Sequence, residues 1–96
     1  MAEALILEFD GVDPAKYDEV NGLLGIDVNT GEGDWPDGLV SHTGCVGDRL
    51  VVFEVWDSQG KQADFMEARL GPALGKAGLP DPSRAEWLAV RGHHSG

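Results

Sequence analysis

Between residues 50 and 56, Leu50, Val52, Glu54 and Trp56 fall on one face of a strand, while Val51, Phe53 and Val55 fall on the other. Both faces are apolar, and the one charge among them is Glu54. Residues 4–9, ALILEF, form a second short apolar run that suits a buried strand and ends at Asp10-Gly11. Asp13 before Pro14 is a helix start, and Tyr17, Val20 and Leu24 recur at helical spacing until Gly25, which predicts a helix over 14–24. Turn formers fill 27–38. LVSHTG and RLVVFEVW then read as two strands of a hairpin joined by the turn residues Cys45 to Asp48. Ser58 caps a second helix with an inward line of Ala63, Met66, Leu70 and Leu74, interrupted by Gly71-Pro72 and ended by Gly78. Residues 84–90 predict a last strand, and 91–96 a frayed tail.

The order β-α-β-β-α-β predicts an α+β, ferredoxin-like domain spanning residues 1–96. In it two helices cover one face of a four-stranded antiparallel sheet whose central strands are the first and third. A third strand apolar on both faces needs cover on both, and a second copy of the sheet supplies it, so a homodimer is expected. A 96-residue monomer would bury only about 60 to 65% of its unfolded surface, which points the same way.

Charge narrows the partners. Seventeen acidic against seven basic residues give a formal charge of −10, which repels nucleic acid and anionic membrane surfaces. The start MAEALILEFD lacks the basic segment of a signal peptide, and no apolar run reaches the roughly 20 residues of a membrane span. A cytoplasmic location is expected. Cys45 is the only cysteine and cannot form an internal disulfide.

A ferredoxin-like unit of this length carrying VWDS at 55–58 resembles the dimeric α/β-barrel superfamily, in particular the antibiotic biosynthesis monooxygenase-like small proteins; RLGPAL at 69–74 is similar to small members of the same group. The resemblance implies two sheets pairing into a barrel, with a pocket between helices and sheet in each subunit lined by Trp56. It implies a cofactor-independent oxygenase, or a cyclase or isomerase, acting on a small hydrophobic or aromatic, polyketide-like metabolite. Where anthrone-oxidising members carry asparagine and tyrosine, this chain has Val52 and Gln62. Where haem-degrading members carry a histidine on the second helix, it has Met66.

The residues themselves suggest chemistry. Asn21 shares the inward stripe of the first helix with Tyr17, Val20 and Leu24, and a buried amide needs a partner. If Trp56 faces the helices, so does Glu54, and Tyr17, Asn21, Glu54 and Trp56 converge as candidate catalytic groups. A desolvated Glu54 would serve as general base, while Tyr17 or Asn21 stabilises an enolate or phenolate oxygen. Alternatively Glu54 pairs with Arg49, Arg69, Arg84 or Arg91, and the set only fills the core of a non-catalytic dimeric binding module. His42, Trp35, Phe65 and Met66 are the candidate ligand-binding residues, with Trp35 folding over the pocket mouth. The face His42 occupies depends on the hairpin: an even number of turn residues puts it on the side of Val51. No cofactor and no metal site is expected; DVNTGEGDWPDG departs from a calcium loop at Gly31, Glu32 and Gly38.

Overall fold

A computed structural model describes residues 2–94. Strands β1 (Glu3–Asp10), β2 (Leu39–Val46), β3 (Arg49–Trp56) and β4 (Arg84–Ala89) form one antiparallel sheet in the order β2-β3-β1-β4. Helix α1 (Pro14–Leu24) and a second helical segment lie between the strands in sequence, giving the ferredoxin-like arrangement that the pattern predicts. Residues 91–94 form neither helix nor strand, and the remainder of the expected frayed tail, 95–96, lies outside the described residues.

Each helix start and stop has a local cause. The Asp13 carboxylate accepts from the Lys16 amide at 2.9 Å, Pro14 opens α1, and Gly25 at φ 72° closes it in the left-handed conformation. The second segment runs as α2 (Gln59–Phe65), a π-turn (Met66–Leu70) and α3 (Gly71–Ala77). Pro72 has no N–H and its ring crowds the carbonyl four residues back, so a tight α-helical turn cannot pass through it. The wider turn relieves this, with the Gly71 N–H donating to the Met66 carbonyl. A Cβ at Gly71 would stand 2.8 Å from that oxygen.

That turn corrects the expected inward line. The extra residue moves the buried stripe from Phe65 to Leu70, a step of five, and onward to Ala73, Leu74 and Ala77. Ala63 is exposed because α2 buries Gln62 and Phe65 instead, and Met66 is only half-buried.

The core lies between helices and sheet. Leu5, Leu7, Phe9, Leu50, Val52 and Trp56 meet Val20, Leu24, Phe65, Ala73 and Ala77 there. The opposite sheet face carries Ala4, Ile6, Val51, Phe53, Val55 and Leu88. Phe53 and Leu88 on this face are 44% and 46% exposed. At one end of the same face Glu8 bridges Arg49 at 2.7 Å and Arg84 at 2.9 Å, and these two guanidinium groups, Arg84 foremost, hold its carboxyl below the usual range. Among the described residues no helix is long and apolar enough to cross a membrane.

Candidate functional site

The hairpin decides which side chains meet. Its ladder closes at Val46 and Leu50, leaving the three residues Gly47 to Arg49 in the turn. An odd number brings His42 opposite Glu54 and onto the helix-facing side. One bulge, with Val40 as the extra residue, then lets Leu39 also turn towards the core.

Glu54 is 6% exposed and is held by two neighbours rather than by an arginine. Its Oε2 lies 2.6 Å from His42 Nδ1, and its Oε1 accepts from the Trp56 indole N–H at 3.1 Å. Of the four arginines proposed from sequence as its partners, three are engaged elsewhere: Arg49 and Arg84 with Glu8, and Arg69 with Asp34 and the carbonyls of Leu24 and Asp34. His42 Nε2 in turn lies 2.6 Å from the Tyr17 hydroxyl, and the two rings are parallel to within 3°.

The protonation pattern follows from what each group can do. An indole N–H only donates, so Oε1 of Glu54 accepts. A carboxylate whose Oε2 faces Nδ1 selects the Nδ1–H form of a neutral imidazole, which leaves Nε2 to accept the Tyr17 proton. Tyr17, His42 and Glu54 therefore form a chain along which a proton can pass from phenol to imidazole while the carboxylate steadies the resulting imidazolium. Burial pushes the Tyr17 phenol above its ordinary value, and the Glu54 charge adds to this, so the phenol keeps its proton through neutral pH.

Tyr17 reaches His42 because residue 44 is glycine. A Cβ there would come within 2.4 Å of both the ring Cζ and the hydroxyl, so the phenol crosses β2 only over bare backbone.

Tyr17, His42 and Glu54 border a cavity of about 50 Å³ that is otherwise walled mainly by apolar side chains, among them Leu7, Val20, Val52, Phe65 and Leu74. Asn21 also lines it. This residue is 9% exposed, and its Nδ2 has no hydrogen-bond partner among the described residues, although the amide stands near enough to the Tyr17 phenol to ease its ionisation against the larger effect of burial. His42 also borders a wider outer cleft of about 330 Å³ beside Trp35, Val28 and Val40. The Trp35 ring sits 6.0 Å from the imidazole, and its N–H donates to the Gly31 carbonyl. The guanidinium of Arg69, 5.3 Å above the Phe65 ring, ties this loop to the π-turn through Asp34.

Trp35 borders only the outer cleft, and two further candidates line neither space. Trp56 is fully buried behind Glu54, its ring 5.8 Å from that of Phe65, and holds the carboxylate without lining the space. Met66 is turned off the cavity by the π-turn that it opens, and Leu70 lines the wall instead. The central place of His42 depends on the turn length, which the letters CVGDR leave open. Gly44 carries no signal in an isolated sequence.

No sequence-family model matches this chain, and no curated protein does. Solved structures do match by shape. A Chloroflexus aurantiacus protein provisionally named an antibiotic biosynthesis monooxygenase superposes with a TM-score of 0.68 at 15% identity, covering 99% of this chain and 98% of that one. NE2512 of Nitrosomonas europaea, of unknown function, gives 0.69 at 16%, covering 99% and 94%. A monooxygenase from the gene ActVA-Orf6 of Streptomyces coelicolor, solved in complex with the ligand nanaomycin D, gives 0.59 at 22%, covering 99% and 92%. This chain thus has the fold of the antibiotic biosynthesis monooxygenase-like structures.

Proposed function

We propose that this protein is a cytoplasmic, homodimeric enzyme that works without a cofactor on a small hydrophobic or aromatic metabolite, as an oxygenase or a cyclase/isomerase. Its shared step is proton transfer through Tyr17, His42 and Glu54. The observation that carries this reading is the pair of 2.6 Å contacts that join phenol, imidazole and carboxylate at the wall of an apolar cavity. Both ring nitrogens of His42 are engaged, as any buried imidazole requires; what sets this one apart is that its two partners, Tyr17 and Glu54, both border an apolar cavity. The fold supports the reading, since a monooxygenase with a bound ligand shares it.

The inner cavity of about 50 Å³ is well short of the ~150 Å³ that admits a benzene ring. An aromatic ligand therefore lies in the outer cleft against Trp35 and His42 and sends only its reacting edge inward. The exposed apolar sheet face around Phe53 and Leu88 receives the second subunit. Because that face lies on the opposite side of the sheet from Tyr17, His42 and Glu54, each subunit carries its own complete chain.

Exchange of a carbon-bound proton tests the proposal. In deuterated buffer the parent protein should speed deuterium uptake at C2 of 1-tetralone, a bicyclic aromatic ketone, and His42→Gln should lose the acceleration while retaining its fold. Parent protein that leaves the uncatalysed rate unchanged would favour the non-catalytic binding module instead.

A further inference from the structure

Among the described residues the buried Nδ2 of Asn21 has no hydrogen-bond partner, although the Tyr17 phenol is close by. The amide lies on α1, in the wall of the inner cavity, one helical turn beyond Tyr17. Buried polar groups in folded proteins are satisfied almost without exception, and an unpaired one retained in a core asks for a partner that arrives from outside. We infer that the inner cavity is a receptor for a neutral carbonyl group, whose oxygen accepts from Asn21 Nδ2. The inference rests on the acid–base reading above only for the identity of the site, and adds the class of ligand that it takes.

Three features fix that class. The orphan is an N–H, so the ligand atom facing it must be an acceptor. The remaining wall is mainly aliphatic and aromatic, and at about 50 Å³ it admits a small group such as a carbonyl and its adjoining carbon. The lining includes Glu54 and neither lysine nor arginine, so a carboxylate or phosphate would enter against a negative charge with no cation to receive it. Ketones, quinones and esters remain; carboxylates and phosphates are excluded.

The test compares 1-tetralone, tetralin and 1-naphthoate, which share a bicyclic frame and differ in carrying a carbonyl, no oxygen or a carboxylate. In the parent, 1-tetralone should bind roughly tenfold tighter than tetralin, about the discrimination expected of one buried hydrogen bond, and 1-naphthoate should not compete. The side-chain amide resonances of Asn21 should move with 1-tetralone and stay in place with tetralin, a readout that needs no variant. In Asn21→Leu, of similar size and without the orphan amide, the preference for the ketone should vanish. Failure of 1-tetralone to bind, equal affinity for tetralin, retention of the preference by Asn21→Leu, or competition by 1-naphthoate would each overturn the inference. Ketone preference without C2 exchange upholds the inference and removes the acid–base reading; exchange without ketone preference does the reverse.

Discussion

The Tyr17 hydroxyl and His42 Nε2 stand 2.6 Å apart across Gly44, in the one place where β2 offers no side chain to keep them separate. Placing a methyl group there pushes the phenol off the imidazole. Gly44→Ala should cost about 1 to 3 kcal/mol by overpacking. It should also reduce C2 exchange as far as Tyr17→Phe does. Denaturant melts read the first effect and deuterium uptake the second; an alanine variant with parental exchange would show that the contact is not used.

Tyr17 is the only tyrosine, so phenolate absorbance reports this one group. Its folded value lies above the ordinary value of 10.0, chiefly through burial. A group whose folded value is raised binds its proton more tightly in the folded state. Its contribution is therefore full below the unfolded value and is lost as pH rises through the folded one. Alkaline titration should thus show phenolate appearing later than in the urea-unfolded chain, with stability falling over that same range. Tyr17→Phe should lack this part of the fall. Coincident titration of folded and unfolded protein would refute the burial argument.

Trp56 combines packing with a single polar duty, and two substitutions separate them. Trp56→Ala removes a fully buried indole and should cost about 3 to 5 kcal/mol. Trp56→Phe keeps a ring against Phe65 but leaves Glu54 Oε1 without its donor, which should cost about 1.5 to 3 kcal/mol, the scale of a hydrogen bond to a charged group. Equal midpoints for parent and Trp56→Phe would mean that the indole N–H does not hold the carboxylate.

Phe53 and Leu88 lie on the sheet face away from the helices. Phe53→Glu with Leu88→Glu should convert a dimer into a folded monomer of 10.2 kDa, read by light scattering at micromolar concentration. A parent protein that is already monomeric there would contradict the pairing of sheets.

Much of this architecture is legible in the chain itself. Asp13-Pro14 and Gly25 mark α1 to the residue, and strand alternation alone puts Glu54 and Trp56 on one face and Tyr17 and Asn21 on the facing helix stripe. What stays hidden depends on counting residues rather than on their kind. One residue more or less in the 47–49 turn would move His42 to the other face, and the sequence there is compatible with either. The π-turn is silent in the same way: Gly71-Pro72 signals a disturbance, but not that it is absorbed by a wider turn that replaces Met66 with Leu70 at the cavity. Glu54 shows its odd placement in sequence, whereas its partner, twelve residues earlier on a neighbouring strand, emerges only from the register.

If Tyr17, His42 and Glu54 act as one chain, breaking any link should remove the same benefit. Glu54→Gln presents an amide to Nδ1 and favours the opposite imidazole tautomer, so Nε2 no longer accepts from Tyr17. Tyr17→Phe removes the proton itself. Each single variant should therefore slow C2 exchange by about 100-fold or more, the usual scale of general acid–base catalysis. The decisive measurement is exchange in the double variant Tyr17→Phe/Glu54→Gln beside the two single variants, with folding checked by melting. The double variant should be no slower than the worse single variant, as for residues that act as a unit; effects that multiply would contradict a single proton chain.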